Sequence, residues 1–136
     1  MRDLVGVRHE ESIVVDDGTA VSFLGHAGAR VLGTPWMIMW MERTSRDAVM
    51  AHMPPGWDTV GTIVNVRHLS AAPMGATVTF RAEVIEQTPK RLLFRVSAES
   101  AQGVVGDGTH ERALIDVERF AAGLAKRSGL LPRDGD

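Results

Sequence analysis

A run of apolar side chains predicts one long helix in the first half of the chain. Thr34 is a favourable N-cap residue, and Pro35 suits the first helical position because its backbone angle is already helical. No glycine or proline interrupts Trp36–Met53, and Pro54-Pro55-Gly56 stops the helix. Because Trp36–Met41 is apolar at every position, the first two turns are predicted to be buried on all sides, with the later part emerging into solvent.

After this helix the pattern changes to segments rich in Val, Ile, Thr and Phe, which is typical of strands. Turn residues separate these segments, and the short connections imply antiparallel neighbours. Two shorter extended segments precede the helix. The predicted strands are Ile13–Val15, Val21–Leu24, Val60–Leu69, Ala76–Glu86, Arg91–Ser100 and Val104–Phe120.

These elements predict an α+β fold in which a curved antiparallel sheet wraps one long central helix. The chain has 136 residues, enough for one hydrophobic core, and we assign residues 1–120 to a single domain. Residues 121–136, which include Pro132 and Gly135, are predicted to form a partly disordered C-terminal tail. Because one sheet covers such a helix incompletely, we expect two subunits to pair their sheets edge to edge in a dimer.

Composition narrows the classes of function that the chain could have. A net charge of −2 gives no global basic field that would attract nucleic acid. The absence of cysteine excludes a disulfide framework and a thiolate nucleophile. Met1–Glu11 lacks the apolar stretch of a signal peptide, and the longest apolar run, Val31–Met41, is too short to span a bilayer. We therefore expect a cytoplasmic protein that binds neither nucleic acid nor a membrane.

Glu42 is the strongest candidate for chemistry, because it follows a long uncharged run on the predicted buried helix. A partly desolvated carboxylate there would have a raised pKa, which suits acid–base or nucleophilic work. The alternative is that Glu42 starts the exposed half of the helix and pairs with Arg46. Position alone does not separate these two interpretations.

Thr34 and His68 are two further candidates. The Thr34 hydroxyl could face a ligand at the positive end of the helix dipole, although an N-cap threonine usually bonds the amides of its own helix. His68 ends a predicted strand beside a turn, where an imidazole could transfer a proton near neutral pH, or be only a solvated histidine. Thr34 and Glu42 lie eight residues apart, so both could border one cleft.

Other residues give weaker signals. Gly61 lies at the start of a long strand, where its amide could donate to a carbonyl, although an ordinary strand-entry glycine has the same pattern. His26 lies in a flexible glycine-containing loop and could contact substrate as a lid residue, whereas His110 could be structural. No two histidines have the spacing of a metal pair on one element, so we predict no metal site.

The stretch Thr34–Phe120 resembles the fluoroacetyl-CoA thioesterase group within the hotdog-fold thioesterases. The landmarks occur in the same order and at nearly the same spacing as in that group, over about two-thirds of the chain. After Thr34 they are Met41-Glu42, Gly61-Thr62, Val66-Arg67-His68, Ala71-Ala72-Pro73, Gly75, Gly108-Thr109-His110-Glu111-Arg112-Ala113 and Glu118-Arg119-Phe120.

The resemblance implies roles for individual residues. Thr34, Glu42 and His68 fall on the group's catalytic triad positions, and Gly61 falls on the residue whose backbone amide binds the thioester carbonyl. It also implies an acyl-CoA substrate, a homodimer with the acyl pocket at the subunit interface, and no metal or redox cofactor. A tetramer is the alternative assembly. Surface cations should bind the CoA phosphates, for which Arg67, Lys90, Arg91 and Arg112 are candidates.

The loop before the helix departs from that group. The fluoroacetate-specific member has phenylalanines in a lid there, and the corresponding positions in this chain are Gly25 and Gly28. We therefore predict hydrolysis of a short or otherwise small acyl thioester without fluoroacetyl selectivity. A non-catalytic protein that binds acyl-CoA or another small ligand is the alternative, and a hotdog hydratase ranks last because the Asp–His spacing of that family is missing.

Overall fold

The computed structural model describes residues 1–128 and confirms the α+β class. One long helix and one curved antiparallel sheet form most of the molecule, and a second helix follows the last strand. The elements are β1 (Arg8–Val14), β2 (Ala20–Ser22), β3 (Arg30–Leu32), α1 (Thr34–Met50), β4 (Trp57–His68), β5 (Thr77–Gln87), β6 (Arg91–Ser100), β7 (Gly103–Asp116) and α2 (Val117–Ser128).

The main sheet has five antiparallel strands in the order β1-β5-β6-β7-β4, and β2 and β3 form a separate two-stranded sheet. Alternate residues of the central strands point to α1 and are fully buried, as the period of two in their sequences predicts. Phe80 of β5 and Phe94 of β6 are the largest of these buried side chains. The order leaves β1 and β4 as the two edges of the sheet within the described residues.

Helix α1 differs from the prediction at both ends. Its N-cap is Gly33, with no side-chain cap bond, and Thr34 is the first helical residue. Thr34 is therefore not the predicted cap, and its hydroxyl is bonded to His68. The helix ends at Met50, three residues before the predicted Met53, and Ala51 is its C-cap. Met53 itself directly precedes Pro54, a position that disfavours helical angles.

The prediction that the first two turns of α1 are buried on all sides is wrong for a single chain. The buried side chains form one face, and Met39 on the opposite side is 43% exposed. The later part of the helix is less exposed than predicted, since Thr44, Ser45 and Val49 are fully buried. One sheet can cover only one face of a helix, so an apolar surface of α1 stays open in the single chain.

The chain termini also correct the sequence analysis. Strand β7 ends at Asp116, not at Phe120, because the Asp116 carboxylate accepts the Arg119 amide (3.3 Å) and starts α2. Residues 121–128 of the predicted tail are therefore helical, and residues 129–136 lie outside the described part. Neither helix of residues 1–128 is long and apolar enough to cross a membrane.

Gly108 gives a test of the β4–β7 pairing. A Cβ at this position would collide with the Asn65 carbonyl and come within 2.6 Å of Val66 Cα, and its φ of +154° disfavours other residues. We expect Gly108→Ala to lower the free energy of unfolding by at least about 2 kcal/mol, measured by urea denaturation. Gly123→Ala in α2 meets no atom within 4 Å and should stabilise the protein by up to about 1 kcal/mol. Equal effects of the two substitutions would contradict this packing.

Candidate functional site

Two of the predicted site residues are in direct contact. The Thr34 hydroxyl, at the start of α1, lies 2.7 Å from Nδ1 of His68, at the end of β4. Both side chains line an open cleft of about 290 Å³, which is also lined by Phe23 and Leu69. Nε2 of His68 is buried and has no hydrogen-bond partner among residues 1–128. The threonine therefore holds one nitrogen of this imidazole, and the other has no partner within the described residues.

Glu42 lies in a second cluster further along α1. A Cβ on Gly61 would lie 2.7 Å from Glu42 Oε1, so this carboxylate packs directly against the backbone of β4. The same oxygen is 4.0 Å from Nε2 of His110. The Glu42 side chain is 39% exposed, so it is less withdrawn from water than the sequence analysis predicted. The carboxylate thus has one face against the strand and one face open to a substrate.

A β-bulge shapes the strand at this point. The pairing of β4 with β7 shifts between Gly61 and Ile63, which leaves Thr62 as the extra residue. A bulge bends its strand and redirects neighbouring side chains, and bulges are frequent next to active sites. Here the bulge coincides with the residue whose missing side chain makes room for the carboxylate. Position 61 therefore needs glycine because the Glu42 carboxylate approaches its backbone closely.

His110 and Arg112 of β7 form a buried network behind Glu42. Nδ1 of His110 lies 2.8 Å from the Ile63 carbonyl, which can only accept, so this nitrogen carries the proton. Arg112 Nη1 lies 3.1 Å from Nε2 of His110 and can only donate, so Nε2 is unprotonated. Arg112 also donates to Thr59, through Nε to the hydroxyl (2.8 Å) and through Nη2 to the carbonyl (2.9 Å). These bonds fix a neutral histidine beside the carboxylate.

Burial reinforces this protonation state. Loss of water lowers the pKa of His110 below its ordinary 6.5, and the nearby charge of Arg112 lowers it further. The Ile63 carbonyl and the Glu42 carboxylate oppose this shift. Burial also lowers the pKa of Arg112, against the effect of Glu42, although a guanidinium stays charged in proteins. Arg112 is therefore a buried cation close to Glu42.

This location corrects the prediction that Arg112 is a surface cation for the CoA phosphates. Arg112 is only 6% exposed, and its three guanidinium nitrogens are bonded to Thr59 and His110. Conversely, His110 has a more central place than the sequence analysis gave it. Its position opposite Val64 across the β4–β7 ladder brings it to the bulge, and that pairing is not visible in the sequence.

The alternative role of Glu42, a surface pair with Arg46, is not observed. Arg46 instead donates two hydrogen bonds to the Asp58 carboxylate, at 2.9 and 2.7 Å. The hydrogen bond from Arg46 is the main cause of a lowered pKa of Asp58. Arg46 thus has its own carboxylate partner.

The predicted residues do not all meet within one chain. Glu42 follows Thr34 by eight residues on α1, which separates the two clusters by roughly 12 Å along the helix axis. His26 belongs to neither cluster. It is exposed in the loop between β2 and β3, where its Nδ1 accepts the Gly28 amide at 2.9 Å. The described residues of a single chain therefore form two separate clusters: a Thr34–His68 pair, and Glu42 with Gly61.

One arrangement outside these clusters bears on the prediction of no metal site. Nitrogen and oxygen atoms of His9, Glu11 and Asp47 lie within 4.8 Å of one another, and the His9–Glu11 contact is 3.0 Å. The sequence argument considered only pairs of histidines on one element, whereas these residues come from β1 and α1. Exposed groups of this kind are common without an ion, and the prediction stays a prediction.

Comparison with known proteins places this geometry in a family. The family described as fluoroacetyl-CoA-specific thioesterase matches residues 14–118. The fluoroacetyl-CoA thioesterase of Streptantibioticus cattleyicolor is 38% identical over 98 residues, which is 72% of this chain and 70% of that protein. The chain belongs to the fluoroacetyl-CoA-specific thioesterase family. The predicted resemblance and the class of thioester hydrolase are therefore confirmed at the level of the family.

Solved structures support the same relation. A variant of a fluoroacetyl-CoA-specific thioesterase, in complex with fluoroacetate and CoA, aligns with a TM-score of 0.77 and 36% identity, over 88% of this chain and 99% of that chain. A hot-dog-like protein from Thermanaerovibrio acidaminovorans aligns with a TM-score of 0.83 over 95% of this chain and 94% of that chain. At 22% identity this second similarity shows the fold alone, and it confirms the hotdog architecture.

The neutral state of His110 predicts a pH dependence of stability. Because the folded pKa lies below 6.5, the unfolded chain binds more protons as the pH falls below that value, and stability decreases. The free energy of unfolding should therefore change with pH between about pH 5 and pH 7.5. We expect His110→Asn to remove the share of this change that His110 causes. The measurement is urea denaturation of both proteins at several pH values. Parallel curves would show that His110 is not held neutral by folding.

Proposed function

We propose that this protein is an acyl-CoA thioesterase that hydrolyses a short or otherwise small acyl thioester. The observation that carries the proposal is the contact between the Glu42 carboxylate and the backbone at Gly61. Family membership supplies the reaction class. The relative that holds fluoroacetate and CoA supports a CoA ester as the substrate.

In the proposed reaction the thioester carbonyl oxygen accepts a hydrogen bond from the Gly61 amide. A fixed backbone donor stabilises the negative charge that develops on this oxygen. Glu42 acts from the same place on the carbonyl carbon, either by direct attack, which gives an anhydride, or by taking a proton from a water molecule that attacks. In both routes a C–O bond forms, the C–S bond breaks, and CoA leaves as a thiolate that receives a proton. In the first route a water molecule then adds to the anhydride, which releases the carboxylic acid and restores the Glu42 carboxylate. Both routes need the open carboxylate face.

The Thr34–His68 pair is proposed to move the proton. His68 has one nitrogen held by Thr34 and the other without a partner, so it can deliver a proton to a leaving group. Within one chain, however, this pair is roughly 12 Å from Glu42 along α1, which is too far for one reacting carbonyl. We therefore propose that each complete site combines Glu42 and Gly61 of one subunit with Thr34 and His68 of its partner.

The surface of the chain supports a dimer of this kind. Strand β4 is an edge of the sheet and exposes apolar side chains, among them Ile63 at 54% and Val64 at 41%. An exposed apolar edge strand favours pairing with another chain, and a two-fold axis would use the same edge twice. The open apolar side of α1 around Met39 would be covered by the same association.

The acyl specificity and the place of action are part of the proposal. Gly25 and Gly28, in the loop that leads to the His68 cleft, carry no side chain that could close over the acyl group. We therefore propose that the enzyme accepts several small acyl groups and does not select for fluoroacetyl. It would act in the cytoplasm, where acyl-CoA thioesters are formed.

Replacement of Glu42 tests the proposed activity. Glu42→Gln keeps the size of the side chain but removes the base, so we expect kcat for short acyl-CoA esters to fall by roughly 10²- to 10⁴-fold. The assay follows release of the free CoA thiol. The melting temperature should change by less than about 4 °C, because the residue is partly exposed. Glu86→Gln, at an exposed carboxylate of β5, is the matched control and should keep full activity; full activity of Glu42→Gln would exclude the mechanism.

The shared site can be tested with mixed dimers. Glu42→Gln and His68→Ala subunits are each expected to be inactive as homodimers. If the site is shared, the heterodimer has one intact site, and random mixing should restore about a quarter of wild-type activity, because half of the dimers are mixed. The measurement is thiol release after the subunits have been exchanged. If the mixture stays inactive although subunit exchange is demonstrated, Glu42 and His68 of one site would belong to the same subunit.

A further inference from the structure

We propose that the cleft between the start of β4 and the start of α2 binds the nucleotide part of CoA. This inference rests on the proposed function and adds to it the residues that hold the substrate's phosphates and adenine. The cleft has a volume of about 410 Å³, and the side chains that carry the argument are Trp57, Lys90, Arg119 and Phe120. A volume of this size is within the range of small-molecule sites.

The cleft carries unbalanced positive charge. Neither the Lys90 ammonium nor the Arg119 guanidinium forms a salt bridge with any residue in 1–128, although both border the cleft. Arg91, also at the cleft, is paired with Glu111 at 3.2 Å. The one acidic residue of the lining, Asp116, accepts the Arg119 backbone amide. Two cations are thus left for a phosphate, which is the group that Lys and Arg bind best.

Another cleft, on the outer face of the sheet, has fewer unpaired cations than the β4–α2 cleft. It is lined by three arginines, of which Arg81 contacts Glu10 and Glu99, and Arg95 contacts Glu83. Only Arg8 forms no salt bridge among residues 1–128, so a phosphate would have to compete with carboxylates for the other two cations. The β4–α2 cleft therefore fits an anionic ligand better.

The cleft also presents two accessible aromatic rings. Trp57 is 37% exposed and Phe120 is 41% exposed, and both line the cleft. Aromatic rings in a basic cleft are typical of nucleotide binding, because a base stacks on a ring while cations contact its phosphates. The combination matches adenosine 3′,5′-bisphosphate, which is the end of CoA opposite the thioester.

The distance between the cleft and the proposed reaction centre also fits CoA. Trp57 precedes Gly61 by four residues on β4, which is roughly 13 Å along the strand. Arg112 and Asp116 are opposite Gly61 and Trp57 on β7, so the ladder joins the two places directly. The flexible pantetheine arm of CoA can span this distance. A thioester at Gly61 would then place its nucleotide in the cleft.

The test combines Lys90→Glu with Arg119→Glu and compares two substrates. One is acetyl-CoA, and the other is acetyl-N-acetylcysteamine, which has the thioester but no nucleotide. We expect KM for acetyl-CoA to rise about tenfold or more, because two charge-assisted contacts are lost, with kcat unchanged. The kcat/KM for acetyl-N-acetylcysteamine should stay at the wild-type value. Lys126→Glu with Arg127→Glu, on exposed residues further along α2, makes the same change in net charge and should affect neither substrate.

Direct binding separates this inference from the proposed function. Calorimetry should detect adenosine 3′,5′-bisphosphate on the wild-type protein, with Kd weakened about tenfold or more by the Lys90→Glu/Arg119→Glu pair and unchanged by the control pair. If both double variants lose binding to the same extent, or if neither loses it, the proposed nucleotide site is wrong. If the wild type hydrolysed no thioester yet showed this pattern of binding, the proposed function would fail and the nucleotide site would stand.

Discussion

The close approach of the Glu42 carboxylate to the backbone at Gly61 is the constraint on which the account depends. It requires three local features at once: a helix position that faces β4, a strand residue without a side chain, and a bulge that bends the strand there. Any larger residue at position 61 would push the carboxylate away. The contact places the Glu42 carboxylate against the Gly61 backbone, and the proposed attack on a thioester carbonyl depends on this arrangement.

The neighbours of Glu42 stabilise this contact electrostatically. Arg112 supplies a buried positive charge, and each of its three guanidinium nitrogens is bonded to Thr59 or His110. His110 is held neutral between the Ile63 carbonyl and Arg112, so it adds no second positive charge beside the carboxylate. A desolvated polar network of this kind is rigid because each member would be costly to leave unpaired.

The sequence predicted the fold well because helix and strand periods are local properties. It placed α1 and β4 to β7 within a few residues, and the resemblance singled out Thr34, Glu42, His68 and Gly61. It failed where the outcome depends on contacts between elements. The Thr34 hydroxyl contacts His68 instead of capping its helix, Arg112 is buried, and His110 reaches the bulge through the β4–β7 pairing. The separation of Glu42 from His68 within one chain is also visible only once the sheet and the helix are assembled.

The most direct test of the central claim is a crystal structure with acetonyl-CoA, a ketone analogue that cannot be hydrolysed at the sulfur. The account predicts that the ketone oxygen lies about 2.9 Å from the Gly61 amide nitrogen, with a Glu42 oxygen in contact with the carbonyl carbon. A ketone bound by other donors, with Glu42 turned to solvent, would contradict it.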